Sequence, residues 1–467
     1  LILNDIAQRL TRSVEAVGDT TREALFEPVI RIGVTGLSRA GKTVFITSLV
    51  ANLLDRGRMP QFGPSAAITA AYLQPQPDDT VPRFEFETHL AALSAPDPHW
   101  PDSTRAVSQL RLSFRVQPTG LLGAVSGPRR VHLDIVDYPG EWLLDLALMD
   151  KSYADWSQDA LARAKSRGHA QEFLSALETV DGTERHDEPR ARSLADSFAA
   201  SLVGAREAGY SDCTPGRFLL PGEMAGSPAL TFAPLPPGEA PRGSLAREFE
   251  RRFEAYKTKV VKPFFRDHFA RIDRQVVLVD ALGAIHAGPK AVEDLRQVMA
   301  DILGAFRPGR NRFLSQLLSG KKVERILFAA TKADHIHHTQ HPKLTAIMEA
   351  LLRDARDRAD FAGAKTQAMS LAAIRATVET QMPHEGRDLD CVSGRLPSGK
   401  QAAFYAGELP SDPAHILSPA RAGAQDWLDG DYEIMRFEPA KLTLKPGEGP
   451  PHIRLDRAAQ FLIGDKL

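Results

Sequence analysis

Residues 36–43 read GLSRAGKT and follow the apolar run VIRIGVT at 29–35. The octet has the spacing G-x-x-x-x-G-K-[ST] at Gly36, Gly41, Lys42 and Thr43. Glycines at those two places let the backbone curl so that successive N–H groups face an anion. The helix that begins there turns its positive end to the same point. Lys42 offers a point charge to β- and γ-phosphates, and Thr43 offers a hydroxyl to Mg²⁺. The flanks supply the context such a loop needs. VIRIGVT reads as a buried strand. TVFITSLVANLLDR, at 43–56, places Val44, Ile46, Leu49, Val50, Leu53 and Leu54 at helical spacing.

The same alternation continues along the chain. SQLRLSFRVQ (108–117) and RVHLDIVDYPG (130–140) read as a hairpin from an edge strand to a central one. RQVVLVDAL (274–282), VERILFAATKAD (323–334) and the start of KTQAMSLAAIRAT (365–377) read as strands, with helices at 291–306 and 344–359. Strands alternating with helices imply an α/β fold, a doubly wound and mainly parallel sheet. The P-loop domain is expected at 29–141 and 273–377. A large helical insertion is expected at 142–272, where Phe249, Phe253, Tyr256 and Val260 share one helix face. A small C-terminal α+β extension fills 378–467, and an amphipathic N-terminal helix fills 1–28. Residues 59–101 read as Pro-rich and irregular.

With 467 residues, the chain is too long for one core. The formal net charge of -1 argues against nucleic acid as a partner held by bulk charge. Two distant cysteines, Cys213 and Cys391, make neither a disulfide framework nor a CxxC metal pair, which suits a reducing cytoplasm. The N-terminal helix can pack on its own domain or lie peripherally at the inner membrane surface.

Two further motifs stand in a meaningful order. DYPG ends a buried strand at 137–140. An aspartate there, Asp137, can hold Mg²⁺ through water, and the Gly140 amide can meet a γ-phosphate. TKAD follows another buried strand at 331–334. A carboxylate at Asp334 can accept from the ring N–H and the exocyclic amine of guanine, whereas adenine presents no such donor pair. The discrimination is on the order of 10⁴-fold. The stem of Lys332 can lie on the base. SLAA (370–373) comes after one more helix and strand, where a backbone N–H can reach the guanine oxygen.

The order GxxxxGKT, DxxG, TKxD resembles the GTPase branch of the P-loop NTPases. GLSRAGKTVFITSLVANLL, WPDSTRAVSQLRLSFR, DYPGEWLLDL, TKADHIHH and SLAAIRAT resemble more closely the YcjX-like P-loop proteins of bacteria, over essentially the whole chain. That resemblance implies GTP and GDP as ligands, a helical insert, and a link to envelope-stress responses. The nucleotide-binding set expected here is Gly36, Ser38, Arg39, Ala40, Gly41, Lys42, Thr43, Val44, Gly140, Thr331, Lys332, Asp334, Ser370, Leu371 and Ala372. Thr43, Thr104 and Asp137 are the expected Mg²⁺ group, with Thr104 as the threonine that closes when γ-phosphate is present.

Small GTPases carry a water-orienting glutamine after DxxG. Here Glu141 takes that place, and its charge is repelled by γ-phosphate, so slow hydrolysis is expected. Lys42, Arg39 and Thr104 are the catalytic candidates. GLSRAGKT resembles GLYRTGKS of the large guanylate-binding GTPases, which implies an in-chain arginine finger at Arg39 promoted by a nucleotide-dependent homodimer; the alternative is a surface arginine bonded to a nearby carboxylate. HIHHTQH (335–341) reads as a loop supporting the base site rather than as zinc ligands. The insertion directly follows DYPGEW, so loss of γ-phosphate can reposition it for an unknown protein partner. The rival readings are an ATPase and a non-catalytic nucleotide-bound scaffold.

Overall fold

The computed structural model describes residues 27–37, 40–102, 106–117, 127–305, 323–359, 364–427 and 432–467. The expected N-terminal helix lies almost wholly outside these, as do Ser38, Arg39 and Thr104.

The main sheet is built from β1 (Val29–Gly36), β2 (Ile68–Gln74), β3 (Ser108–Val116), β4 (Arg129–Asp137), β5 (Arg274–Val279), β6 (Arg325–Ala330) and β7 (Lys365–Ser370). It has seven strands in the order β2-β3-β4-β1-β5-β6-β7. β4, β1, β5, β6 and β7 run parallel, while β3 is antiparallel to both neighbours. The β3–β4 hairpin is as expected, but β3 is not the edge. β2 emerges from the Pro-rich stretch and pairs outside it. Its sequence, ITAAYLQ, carries small residues and only partial burial, so no strong alternation announced it.

The helices are α1 (Lys42–Leu54), α2 (Phe86–Ser94), α3 (Gly140–Leu144), α4 (Tyr153–Ser166), α5 (Gln171–Glu178), α6 (Glu188–Glu207), α7 (Gly216–Leu219), α8 (Leu245–Tyr256), α9 (Lys262–Asp267), α10 (Ala281–His286), α11 (Pro289–Ala305), α12 (His341–Ala359), α13 (Ala414–Arg421) and α14 (Leu455–Ile463). Both sheet faces are covered, as apolar parallel strands require. Val276, Leu278, Leu327 and Ala329 face a core shared with Phe45 and Leu49 of α1 and with Leu455, Ala459 and Leu462 of α14. The alternate residues Val277, Val279, Ile326 and Phe328 face a second core with Met299 of α11 and Ile347 of α12. The last helix of the chain is therefore a wall of the sheet domain, although the sequence places it in a separate extension.

Between β4 and β5 the chain forms the helices α3 to α9. Ser152 and Asp155 make a reciprocal capping box at the start of α4. Trp156 is fully buried. It stacks on Phe253 at 5.1 Å and meets Phe198 and Phe232 edge-on at 5.9 and 5.3 Å. Apolar positions at helical spacing thus become one aromatic core, continuous with the second core of the sheet. Arg167, after α4, pairs with Asp294 of α11 and ties the helical region to the sheet domain. Behind β7, the strands β8 (Thr377–His384), β9 (Arg387–Arg395) and β10 (Gln401–Phe404) form a three-stranded antiparallel sheet. No helix among the described residues is long and apolar enough to cross a membrane.

Removing the largest side chain of the helical core leaves a cavity that its aromatic neighbours cannot fill. Trp156→Ala is expected to cost about 3–5 kcal/mol, read as a lower urea midpoint of the full chain. A loss below about 1 kcal/mol would show that this aromatic cluster does not hold the insert together.

Candidate functional site

The register brings the loops together. β1 ends at Gly36, β4 at Asp137, β5 at Val279, β6 at Ala330 and β7 at Ser370. Gly36 lies beside Leu278, Val279 beside Ala330, and Ala330 beside Ser370. These carboxyl ends form one edge, and the order reverses around β1, where open α/β sheets hold their ligands.

At that edge the Leu37 N–H donates to the Leu278 carbonyl at 2.9 Å, and the Ala40 N–H to the Leu37 carbonyl at 3.1 Å. Gly41 then takes the left-handed conformation, φ 76°, and caps α1; a side chain there would be strained. Lys42 Nζ lies 2.7 Å from Asp137 Oδ1, with the Asp137 side chain 1% exposed. The pair is close but poorly aligned. Lys42 Nζ and both Asp137 carboxylate oxygens make no hydrogen bond, and Thr35 Oγ1, which lies against Gly140, has none either. Buried polar groups are ordinarily satisfied, so hydrogen-bonding capacity is concentrated here. The donor set fits a hard divalent cation: a carboxylate with open lone pairs and the buried Thr43 hydroxyl.

DYPG closes on this loop by backbone contact. A Cβ on Gly140 would lie 2.1 Å from the Gly36 carbonyl oxygen and 3.1 Å from Thr35 Oγ1. Only glycine permits that approach. The helical region grips the next turn. A Cβ on Gly216 would lie 2.3 Å from the Glu141 carbonyl oxygen. Arg206 Nη2 pairs with Glu141 Oε1 at 3.0 Å. The Arg217 guanidinium covers Trp142 at 3.2 Å from the ring centroid. Asp145 accepts from the Gly216 N–H at 2.8 Å and from the Tyr256 hydroxyl.

At the other end, Lys332 has φ 60° and its ammonium pairs with Asp280. Asp334 is buried, and its Oδ2 accepts from the Ala376 N–H at 2.8 Å. The Ala333 N–H donates to the Leu371 carbonyl at 3.1 Å, and His341 Nε2 meets the Ala333 carbonyl at 2.7 Å. His337 and His341 therefore do not converge. His338 instead bonds Glu379 at 2.9 Å, and Asp390 lies 3.4 Å from His337. The ligand atoms of His337, His338 and Glu379 fall within 4.8 Å of one another. Glu379 lies 41 residues beyond His338, out of reach of any spacing rule. The group ties the TKAD loop to β8 and β9 through its own hydrogen bonds.

One cleft of about 680 Å³ collects these parts, a size that suits a small-molecule ligand. Gly36, Ala40, Gly41, Lys42, Thr43, Val44, Gly140, Thr331, Lys332, Asp334 and Ala372 all line it. Ser370 and Leu371 do not. Ser370 is fully buried, bonded to Thr345 at 2.8 Å and to Arg454 at 2.8 Å, and the Leu371 N–H goes to the Ala330 carbonyl. The Ala372 N–H goes to the Ile453 carbonyl at 3.1 Å. Ala373 and Ile374 face the cleft instead, a shift of two positions along the same loop. Asp137 sits beneath the cleft, behind Lys42.

Two other contributors have no local motif in the sequence. Arg206 and Leu220 of the helical region enter the wall. So does the late segment Arg436–Glu438, next to Trp100 and Pro101. Trp100 Nε1 donates to the Phe437 carbonyl at 2.8 Å, and Arg395 pairs with Asp97 at 2.5 Å. The segment before Thr104 is thus strapped to the C-terminal part of the chain. Only the WPDST block hinted at it.

Sheet order, phosphate loop and a cleft at the switch point together define a P-loop NTPase. More narrowly, the family model of the YcjX-like family, DUF463, matches residues 30–467, and the chain belongs to that family. It is 35% identical to the Ras-like GTPase YcjX of Escherichia coli K12, over 94% of this chain and 96% of that protein. It is 34% identical to the Ras-like GTPase YcjX of Shewanella oneidensis MR-1, over 94% of each.

Asp145 makes the junction between α3 and the helical region pH-sensitive. Burial pushes its carboxyl from the ordinary 3.8 up to about 7, against the pull of the Tyr256 and Gly216 hydrogen bonds. The folded chain therefore keeps a proton that the unfolded chain gives up. That contribution is present below pH 4 and is lost as pH rises through 7. Between pH 5 and 8 the wild type should lose on the order of a few kcal/mol more stability than Asp145→Asn, read by urea unfolding. Equal losses would contradict the assignment.

Proposed function

We propose that this chain binds GTP and GDP and hydrolyses GTP slowly, acting as a nucleotide-dependent switch. The observation that carries the reading is that Asp334 and Lys42, 292 positions apart in sequence numbering, line one cleft. The names of the curated relatives, both Ras-like GTPases, support it.

In this reading the tail of the nucleotide lies over Gly36–Thr43, with backbone N–H groups and the α1 N-terminus facing the phosphates. Lys42 turns from Asp137 to the β- and γ-phosphates. Asp137 and the Thr43 and Thr104 hydroxyls are then the groups that would hold Mg²⁺. When bound there, Mg²⁺ would supply positive charge to the phosphate tail. Gly140 presents its N–H to the γ-phosphate. Asp334 Oδ2 is braced by the Ala376 N–H, which fixes the carboxylate for the guanine edge. Pairing Lys332 with Asp280 braces the TKAD loop at its left-handed residue. Trp100 and Phe437 close the flank of the cleft.

The switch follows from the contacts of α3. Loss of γ-phosphate frees Gly140, and movement of Gly140 passes to Glu141, Trp142 and Asp145, which Gly216, Arg217 and Tyr256 hold. An unknown protein partner would read the resulting shift of the helical insert. The link to envelope stress rests on the family resemblance.

Guanine selection by Asp334 has a direct test. Asp334→Asn should weaken GDP binding by 10²-fold or more, of the order expected for an unpaired polar contact, and raise affinity for XDP, whose 2-oxo group pairs with an amide donor. Unchanged GDP affinity with no gain for XDP would contradict the guanine reading.

A further inference from the structure

The helical insert places a cation at the phosphate end of the cleft. Arg206 stands in the last turn of α6, and its guanidinium leaves the helix for the cleft wall that Lys42, Gly140 and Glu141 also form. There it meets Glu141 at 3.0 Å, with side-chain exposures of 29% for Arg206 and 10% for Glu141. Glu141 directly follows the glycine that packs on Gly36. The Arg206 guanidinium therefore shares one cleft wall with Lys42 and Gly140, the residues that the GTP reading places at the γ-phosphate.

A lone carboxylate at Glu141 would repel a γ-phosphate, and an arginine pairs with carboxylates and phosphates alike because its planar fork matches both. One guanidinium here answers both points. It cancels the Glu141 charge while the cleft is without γ-phosphate, and it is the cation positioned to transfer to the phosphate. Gly216 packs on the Glu141 carbonyl from the insert side, and Leu220 lines the same cleft wall as Arg206.

We propose that Arg206 is the in-chain arginine finger of this protein, held at rest by Glu141. The proposal rests on the GTP reading above. In the step, the water oxygen forms a bond to the γ-phosphorus as the bond from that phosphorus to the β–γ bridging oxygen breaks. The electron pair stays on the bridging oxygen of the departing GDP, and the water proton passes to the released phosphate. Negative charge grows on the bridging oxygen and the γ-oxygens, where the Arg206 N–H groups donate. The assignment moves the finger role from Arg39, which lies outside the described residues, to a residue of the insert. Catalysis and insert position thereby become one variable: an insert shifted away from α3 leaves the phosphate without its cation.

The test uses the full chain and compares wild type with Arg206→Ala, Arg206→Lys and Arg39→Ala. Three readouts are taken: GDP affinity, the single-turnover rate with bound GTP, and capture of aluminium fluoride by the GDP complex. Both Arg206 variants should hydrolyse GTP about 10³-fold more slowly, hold GDP within about threefold of wild type, and fail to capture aluminium fluoride. Arg206→Lys keeps a positive charge against Glu141 and so guards against a folding defect in the alanine variant. A purely structural Arg206 would instead lower GDP affinity while fluoride capture by the loaded fraction persists, and that result overturns the proposal. So does a wild-type rate in either Arg206 variant, or loss of fluoride capture in Arg39→Ala alone. A wild-type chain that binds no guanine nucleotide overturns the functional reading itself, and is distinguished at the first readout.

Discussion

Everything in this site depends on how closely two backbones approach. Gly140 sits against the Gly36 carbonyl with no room for a Cβ between them. That contact fuses the end of β4 to the phosphate loop at the end of β1. A second contact of the same kind, Gly216 on the Glu141 carbonyl, fuses the helical region to the turn that follows. Backbone packed on backbone has little slack, because close-packed interiors transmit displacement rather than absorb it. A change at the phosphate loop therefore has a short, stiff route into the insert. Leu37, Tyr138 and Trp142 belong to the same core as Trp156 and Phe253, so the route is also lined by continuous apolar packing.

The electrostatics follow the same path. Lys42 and Asp137 neutralise each other beneath the loop, while Arg206 and Glu141 do so at its rim. Each pair joins a group suited to phosphate with one that phosphate repels. In the proposed binding mode a polyphosphate would compete for both cations, and each exchange would leave a carboxylate, Asp137 or Glu141, to find a new partner.

The sequence revealed the parts of the site that depend on local chain geometry. GLSRAGKT, DYPG and TKAD each carry their chemistry within a few consecutive residues, and the strands that bear them are apolar runs of β length. These elements fall at one sheet edge. What remained hidden depends on pairs far apart in the chain. The partner of Glu141 is 65 positions on, at Arg206, and the carbonyl that receives the Trp100 N–H belongs to Phe437. Neither pairing has a periodicity to find. β2 was obscured because ITAAYLQ has few bulky apolar residues and gains its place from pairing with β3. At SLAA the motif located the loop, but the register within it was set by Ala372 bonding Ile453, a contact with the C-terminal part of the chain.

In the proposed function a carboxylate from the TKAD loop and a lysine from the phosphate loop serve one purine nucleotide. The most direct measurement is the ratio of equilibrium affinities of the full chain for GDP and ADP, by displacement of a fluorescent guanine nucleotide. GDP should bind tighter by about 10³-fold or more, the scale set by a buried carboxylate left unpaired on the wrong base. Equal affinity for the two would contradict it.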